Sequence, residues 1–277
     1  MGGTILTTVT RTGGRSTETA WNRGDGTGTG GGVSTIFPIP SWQQGISFAA
    51  NQGSPIARNS PDVAMVAESV YVKYDNGGGG SVGGTSAAAP LWAGFMALVN
   101  QQAATSGKPA PGFINPVVYE IANQSNYKTT LFDVTNGNNF STTSPNAFSA
   151  VTGYDLCTGL GTPRGTPLIN ALVSPDPFII APNYGFNSFS LPAGGFNVTT
   201  RTYALTNSAA TPLTWTLINT SAWLTASSTN GILGSGTNKL VTISLNTVAS
   251  NLNVGSYSAF VAFSNNTTAI AHYVCSL

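Results

Sequence analysis

Charge is what this sequence has least of. Only 7% of its 277 residues are Asp, Glu, Lys or Arg, against about a quarter in ordinary soluble domains. Ten basic and nine acidic residues leave a formal net charge of +1. No basic stripe exists, so the chain has no nucleic-acid surface of the phosphate-binding kind. Few carboxylates also means few paired groups to lose on acidification. Ser, Thr, Asn and Gly supply the surface polarity instead, which suits an acidic exterior and equally suits a generic low-charge secreted β-rich protein. No apolar run approaches the roughly 18 residues of a membrane span. No signal peptide opens the chain. Histidine is nearly absent: His272 is the only one, and its neighbours Ile270 and Tyr273 mark it as a strand residue. Cys157 and Cys275 are the only cysteines. They read as two buried thiols, with one bridge between domains as the alternative.

What the chain does have is the segment Gly83-Gly84-Thr85-Ser86-Ala87-Ala88-Ala89-Pro90-Leu91-Trp92-Ala93-Gly94. It puts a serine between a glycine turn and an apolar, alanine-rich helix. Backbone N–H groups and the positive end of the helix dipole then face any negative charge that develops beside the hydroxyl. A serine nucleophile of acyl transfer needs that arrangement. A serine there can also be a plain N-cap. Pro90 in the early helix and the small pair Ala93-Gly94 favour the nucleophile. Such a hydroxyl needs a base, and His272 is poorly placed to be one. The base is therefore a carboxylate, or it lies outside this sequence.

Gly-Thr-Ser, three residues, Pro, two residues, Ala-Gly resembles the sedolisins, the serine-carboxyl peptidases. Subtilisins carry a histidine after the proline, where this chain has Leu91 and Trp92. The resemblance implies Ser86 as nucleophile, with a glutamate base, an aspartate that orients it and another aspartate in the oxyanion hole. Further segments resemble the family in its order: Gly2-Gly3-Thr4, Glu18-Thr19-Ala20-Trp21-Asn22, Gly30-Gly31-Gly32-Val33-Ser34, Phe37-Pro38-Ile39-Pro40-Ser41-Trp42-Gln43 and Pro61-Asp62-Val63-Ala64. In the family the glutamate and both aspartates precede the Gly-Gly-Thr segment, which here begins at position 2. The expectation is that the N-terminal catalytic half is missing and that this polypeptide alone has no peptidase activity. Glu18, Glu68, Glu120 and Asp62 read as structural or surface carboxylates and not as replacements.

Asp133 and Asp155 stand about twenty residues apart, in Phe132-Asp133-Val134-Thr135-Asn136-Gly137 and Val151-Thr152-Gly153-Tyr154-Asp155. Spacing alone suits turn residues. It also suits Ca²⁺, which takes carboxylate and carbonyl oxygens together. The resemblance implies one Ca²⁺ held by the side chains of Asp133 and Asp155 and the carbonyls of Val134, Val151 and Gly153. Val151 departs from a glycine common in the family.

Residues 1–174 therefore read as the C-terminal part of a sedolisin-like peptidase domain. The fold expected is an incomplete subtilisin-like α/β parallel sheet with flanking helices. The helices are expected from Ala87 to about Ala104, Asn115 to about Asn123, and Gly165 to Val173. Val63 to Val72 reads as a buried strand region and Asp75 to Gly84 as a loop. Segment 27–34, Thr-Gly-Thr-Gly-Gly-Gly-Val-Ser, is either a flexible linker or a place where a peptide substrate approaches the backbone. The patterned segments beside it favour the second.

Residues 175–179 form a linker at the stiff Ser174-Pro175-Asp176-Pro177 break. Residues 180–277 show period-two stretches at Tyr203-Leu205, Trp215-Leu217, Val241-Ile243-Leu245 and Tyr257-Ala259-Val261-Phe263. These predict an all-β immunoglobulin-like sandwich. Trp223-Leu224, Gly231 to Gly236 and Gly255-Ser256-Tyr257 resemble the BACON domains appended to bacterial secreted enzymes. That resemblance implies a carbohydrate or glycoprotein ligand, with a passive spacer as the alternative. The function expected is a secreted serine endopeptidase acting on protein or peptide substrate. The alternatives are a non-catalytic binding or adhesion protein on a peptidase-like scaffold, and a subtilisin-type fragment.

Overall fold

The computed structural model describes residues 1–8, 14–48, 50–145 and 147–276. It divides into two units: Met1–Ala122 with Tyr127–Ser174, and Pro175–Leu277 with Asn123–Asn126.

In the first unit, β1 (Gly2–Thr8) pairs antiparallel with β2 (Arg15–Ala20). Next come β3 (Gly32–Pro38) and β4 (Ala57–Ser60), an antiparallel pair with Gly32 opposite Ser60. The short β5 (Ala64–Val66) runs parallel to β1, with Gly2 opposite Ala64. The resulting sheet has three strands in the order β2-β1-β5, so one pair in it is parallel and one antiparallel.

The strand region expected over 63–72 breaks after β5, and β6 (Val70–Tyr74) pairs with β7 (Gly78–Val82) as a hairpin. A loop was expected over 75–84. Asp75, Asn76 and Gly77 turn the hairpin with φ of 47°, 53° and 150°, the positive values such tight turns need. Glycines 78–80 carry no strand propensity, which hides β7 from a sequence reading. The rings of Tyr71 and Tyr74 lie against this glycine strand in place of side chains.

Helix α1 (Thr85–Thr105) buries Ala88, Trp92, Phe95, Val99 and Ala103, spaced three or four residues apart. Ser106 and Gly107, with φ of 66° at the glycine, end it. Trp92, Phe95 and Val99 pack with Tyr119 of α2 (Asn115–Ala122), Leu131, Leu156 and Leu168 in the main core. The other face of α1 is apolar yet exposed, with Ala89, Ala93, Gly94, Ala97 and Leu98 on it. A helix apolar all round is normally covered all round. The unit closes with α3 (Tyr127–Thr130), the β8 (Leu131–Phe132) and β9 (Thr162–Pro163) pair, and α4 (Thr166–Val173).

Among the described residues the second unit has eight strands. Four of them, β10 (Phe178–Ala181), β11 (Thr200–Asn207), β13 (Leu224–Ala226) and β15 (Asn238–Leu245), form an antiparallel sheet in the order β10-β11-β15-β13. The others, β12 (Leu213–Asn219), β14 (Asn230–Leu233), β16 (Phe260–Asn265) and β17 (Ile270–Ser276), form a second in the order β14-β12-β16-β17. Alternate residues of both sheets, among them Tyr203, Leu205, Trp215, Val241, Ile243, Val261 and Phe263, share one core. Asp176, in the expected linker, belongs to this unit. Its buried carboxylate accepts from the Phe178 N–H at 3.1 Å and Asn265 Nδ2 at 2.7 Å, and lies 2.9 Å from His272 Nε2.

Candidate functional site

Ser86 is the second residue of α1, on its exposed side. Gly84 caps the helix at φ 108° and ψ 161°, a conformation that a side chain would strain. Its carbonyl accepts from Ala87 N–H at 2.9 Å. Pro90 has no N–H, so the Ser86 carbonyl lacks its helical donor. No side chain among the described residues hydrogen-bonds the Ser86 hydroxyl. Ser86 Oγ is thus exposed at the start of a helix, with no side-chain partner among the described residues.

The turn beneath Ser86 is buttressed by residues far away in sequence. The Gly84 N–H donates to the Ala67 carbonyl at 2.7 Å. A Cβ at Gly84 would lie 3.9 Å from the Trp21 ring, and one at Gly83 would lie 3.1 Å from Arg23 Nη2. Trp21 Nε1 donates to Glu68 at 2.6 Å, and Arg23 donates to the same carboxylate through Nε and Nη2, each at 2.8 Å. The Arg23 hydrogen bonds, and then that of Trp21, pull the Glu68 carboxyl down to about 2. It stays ionised through mildly acidic conditions. The sequence reads Glu68 as a structural or surface carboxylate without naming its partners, which lie more than forty positions upstream.

The remaining carboxylates hold structure. Glu18 is buried and accepts from Thr4 Oγ1 at 2.8 Å and Thr162 Oγ1 at 3.0 Å, with Arg15 Nε at 3.1 Å. Asp62 pairs with Arg58 at 2.6 Å and accepts from Tyr119 Oη at 2.8 Å. His272 is buried against Asp176 within the second unit. Cys157 is a free buried thiol, pushed up to about 12 by burial, and its Sγ lies 3.1 Å from the Phe148 carbonyl. The Cys275 side chain lies outside the described residues.

Hydrogen bonds tie Asp133 to Gly153 and Asp155 to Val151 within the expected calcium ligand set. Gly153 N–H donates to Asp133 at 2.9 Å. Asp155 is fully buried and accepts from the N–H groups of Val151 at 3.2 Å, Cys157 at 2.8 Å and Thr158 at 2.7 Å. Val134 is buried, while Val151 and Gly153 are half-buried. Among the described residues no lysine or arginine forms a salt bridge with either carboxylate. Burial raises the Asp133 carboxyl and lifts that of Asp155 to about 6. The charge of Lys128 opposes the rise at Asp133. Two carboxylates and the backbone carbonyls of their two loops are the kinds of oxygen donor a hard divalent cation takes. No cluster of three or more His, Cys, Asp or Glu side chains occurs among the described residues, so such a site would depend on main-chain oxygens.

Three cavities accompany these residues. One of about 580 Å³ lies between Gly26–Gly31 and the 139–148 loop, and one of about 430 Å³ between Gly30–Ser34 and Ser60-Pro61. The third, about 570 Å³, is in the second unit and is lined by Phe189, Phe196, Trp223 and Tyr257 among others. Phe189 and Phe196 come from the segment between β10 and β11, whereas Trp223 and Tyr257 come from two later loops, so no single sequence window displays all four. Among the described residues no helix is long and apolar enough to cross a membrane.

No family model matches the chain. Individual proteins do. Kumamolisin of a Bacillus species is 42% identical over 177 residues, which are 62% of this chain and 30% of that protein. Tripeptidyl-peptidase sed1 of Aspergillus fumigatus is 34% identical over 169 residues, 53% of this chain and 25% of that protein. Tripeptidyl-peptidase 1 of Canis lupus familiaris is 33% identical over 161 residues, 53% of this chain and 28% of that protein. The chain thus spans between 25% and 30% of the length of these curated relatives. Among solved structures, an MSP-domain protein of Caenorhabditis elegans, SSP-19, covers 35% of this chain and 95% of its own at 13% identity. Its TM-score of 0.23 decides nothing about the fold. With the glycine turn, the exposed serine and these identities together, the matched stretch of the chain is similar to part of these sedolisin-family peptidases.

Proposed function

We propose that this chain carries the nucleophile-bearing part of a secreted sedolisin-type serine endopeptidase. The observation that carries this reading is the placement of Ser86, exposed at the start of α1 behind Gly84, whose φ of 108° suits glycine alone. In the reaction, Ser86 Oγ bonds to the scissile carbonyl carbon and its proton passes to a glutamate. That proton then goes to the leaving amine as the C–N bond breaks. Water hydrolyses the resulting acyl-enzyme by the reverse proton route. The glutamate, the aspartate that orients it and the oxyanion aspartate come from the portion of the relatives that this chain does not span. The uncovered apolar face of α1, beside Ser86, is where that portion packs.

The first unit is then an incomplete subtilisin-like α/β domain, a reading supported by the parallel β1–β5 pair. One Ca²⁺ is held by the side chains of Asp133 and Asp155 with the carbonyls of Val134, Val151 and Gly153. The ion would neutralise two carboxylates and tie their loops together. The second unit is an immunoglobulin-like, BACON-like sandwich, and its aromatic cavity favours a carbohydrate or glycoprotein ligand over a passive spacer.

The test is a chimera joining the unmatched N-terminal portion of Kumamolisin to this chain. Acid-pH cleavage of a denatured protein is expected from the chimera, none from its Ser86→Ala variant and none from the chain alone. Cleavage that persists in Ser86→Ala would remove the serine from the mechanism.

A further inference from the structure

The glycine-rich segment before β3 has a backbone that nothing occupies. Gly30 and Gly31 are exposed, and no hydrogen bond reaches their N–H or C=O groups among the described residues. The same segment is held firmly from beneath. Thr29 N–H donates to the Trp21 carbonyl at 2.8 Å, and Thr29 Oγ1 donates to the Cys157 carbonyl at 2.8 Å while accepting from Gly3 N–H at 2.9 Å. A Cβ at Gly31 would fall 1.6 Å from the Leu156 carbonyl oxygen, so the strand lies flush on that backbone. On the C-terminal side, Gly32 and Val33 pair with Ser60 and Asn59 along one edge only. A strand that is stiff, exposed and unpaired loses little entropy when another strand joins it.

Two cavities of the first unit meet at this strand. The larger reaches toward Asn139, Thr143 and Phe148, the smaller toward Ser60 and Pro61, and Gly30 and Gly31 line both. Neither is lined by a charged side chain. Side chains of an extended peptide alternate between opposite faces. We infer that Gly30–Ser34 is a peptide-pairing subsite, at which an extended segment adds as a β-strand and places neutral side chains in the two cavities. This rests on the peptidase reading and names its substrate as an extended, neutral segment of unfolded polypeptide. Trp21 links the subsite to the nucleophile, because its carbonyl holds Thr29 while its ring lies against the Gly84 turn.

The experiment uses the full chain with Ser86→Ala, isotope-labelled, titrated with the capped peptide acetyl-Leu-Thr-Phe-Thr-Leu-amide. The Gly30 and Gly31 amide signals should shift saturably, and their hydrogen exchange should slow about tenfold or more at saturation. Gly30→Pro, which removes one donor where a Cβ meets nothing within 4 Å, should abolish the shifts at Gly31. Exposed Thr143→Asp should reverse the preference, binding a peptide with lysine at the central position about fivefold tighter than the phenylalanine peptide. This swap stands even where Gly30→Pro does not fold. Saturable binding that leaves Gly30 and Gly31 unmoved, or no binding at all, would overturn the subsite. An active chimera with no shift at Gly30 rejects the subsite and keeps the peptidase. Binding here with an inactive chimera rejects the peptidase and keeps the subsite.

Discussion

The indole N–H of Trp21 and the carboxylate of Glu68 meet at 2.6 Å directly under the turn that presents Ser86. Arg23 closes the cluster from the solvent side. Glu68→Gln keeps the shape and removes the charge. It is expected to cost about 1 kcal/mol, because the Arg23 contribution is screened at an exposed site. The Glu68 pKa is lower in the folded state, so its contribution is complete above the ordinary carboxylate range and fades as pH falls toward about 2. Thermal melts should show the parent and Glu68→Gln chains converging as pH drops below about 4.3. A gap that stays constant down to pH 2 would contradict this.

The Asp176–His272 pair ties the start of the second unit to its last strand. Both side chains are nearly inaccessible. His272→Ala leaves the carboxylate buried with only Asn265, Thr268 and a backbone N–H around it. The expected loss is about 1–3 kcal/mol for the hydrogen bond removed from a buried acceptor, read as an earlier denaturant midpoint in the fluorescence of buried Trp215. A midpoint unchanged from the parent would show that the pair contributes nothing.

Calcium should stabilise the first unit. At a hundredfold excess over the dissociation constant, one bound ion adds about 2.7 kcal/mol. Melts with Ca²⁺ and with chelator should differ accordingly, and Asp155→Ala should erase the difference. Equal melts in the parent chain would remove the ion from the proposal.

Gly30 and Gly31 are neighbours with opposite tolerance. A Cβ at Gly30 meets nothing within 4 Å, whereas one at Gly31 collides with the Leu156 backbone. Gly30→Ala should stay within about 0.5 kcal/mol of the parent. Gly31→Ala should lose about 3 kcal/mol or more. Similar melts for the two variants would mean that the strand does not lie on Leu156.

Much of the fold is written locally. The expected helix from Ala87 to about Ala104 spans Thr85–Thr105, and the helix expected from Asn115 ends at Ala122. Glycine, proline and apolar spacing act over a few residues, so their signals survive in a linear reading. The period-two stretches likewise carry the buried residues of β11, β12, β15 and β16. The β6–β7 hairpin was not legible, since its second strand is mostly glycine and depends on the tyrosines opposite. The cluster at Glu68 was equally hidden, its partners being 45 and 47 positions away.

The sequence by itself determined which groups are present: a serine after two glycines and before an apolar helix, a single histidine in a strand-like stretch, two aspartates in turn-like segments and few charged residues. The tertiary structure alone decided the environment of each group. It tied Asp176 to His272, gave Glu68 its one cation, left Asp155 without one, and opened two cavities lined by Gly30 and Gly31. Turn and helix preferences arise from neighbouring backbone atoms, whereas burial, charge state and open space depend on residues that only folding brings together.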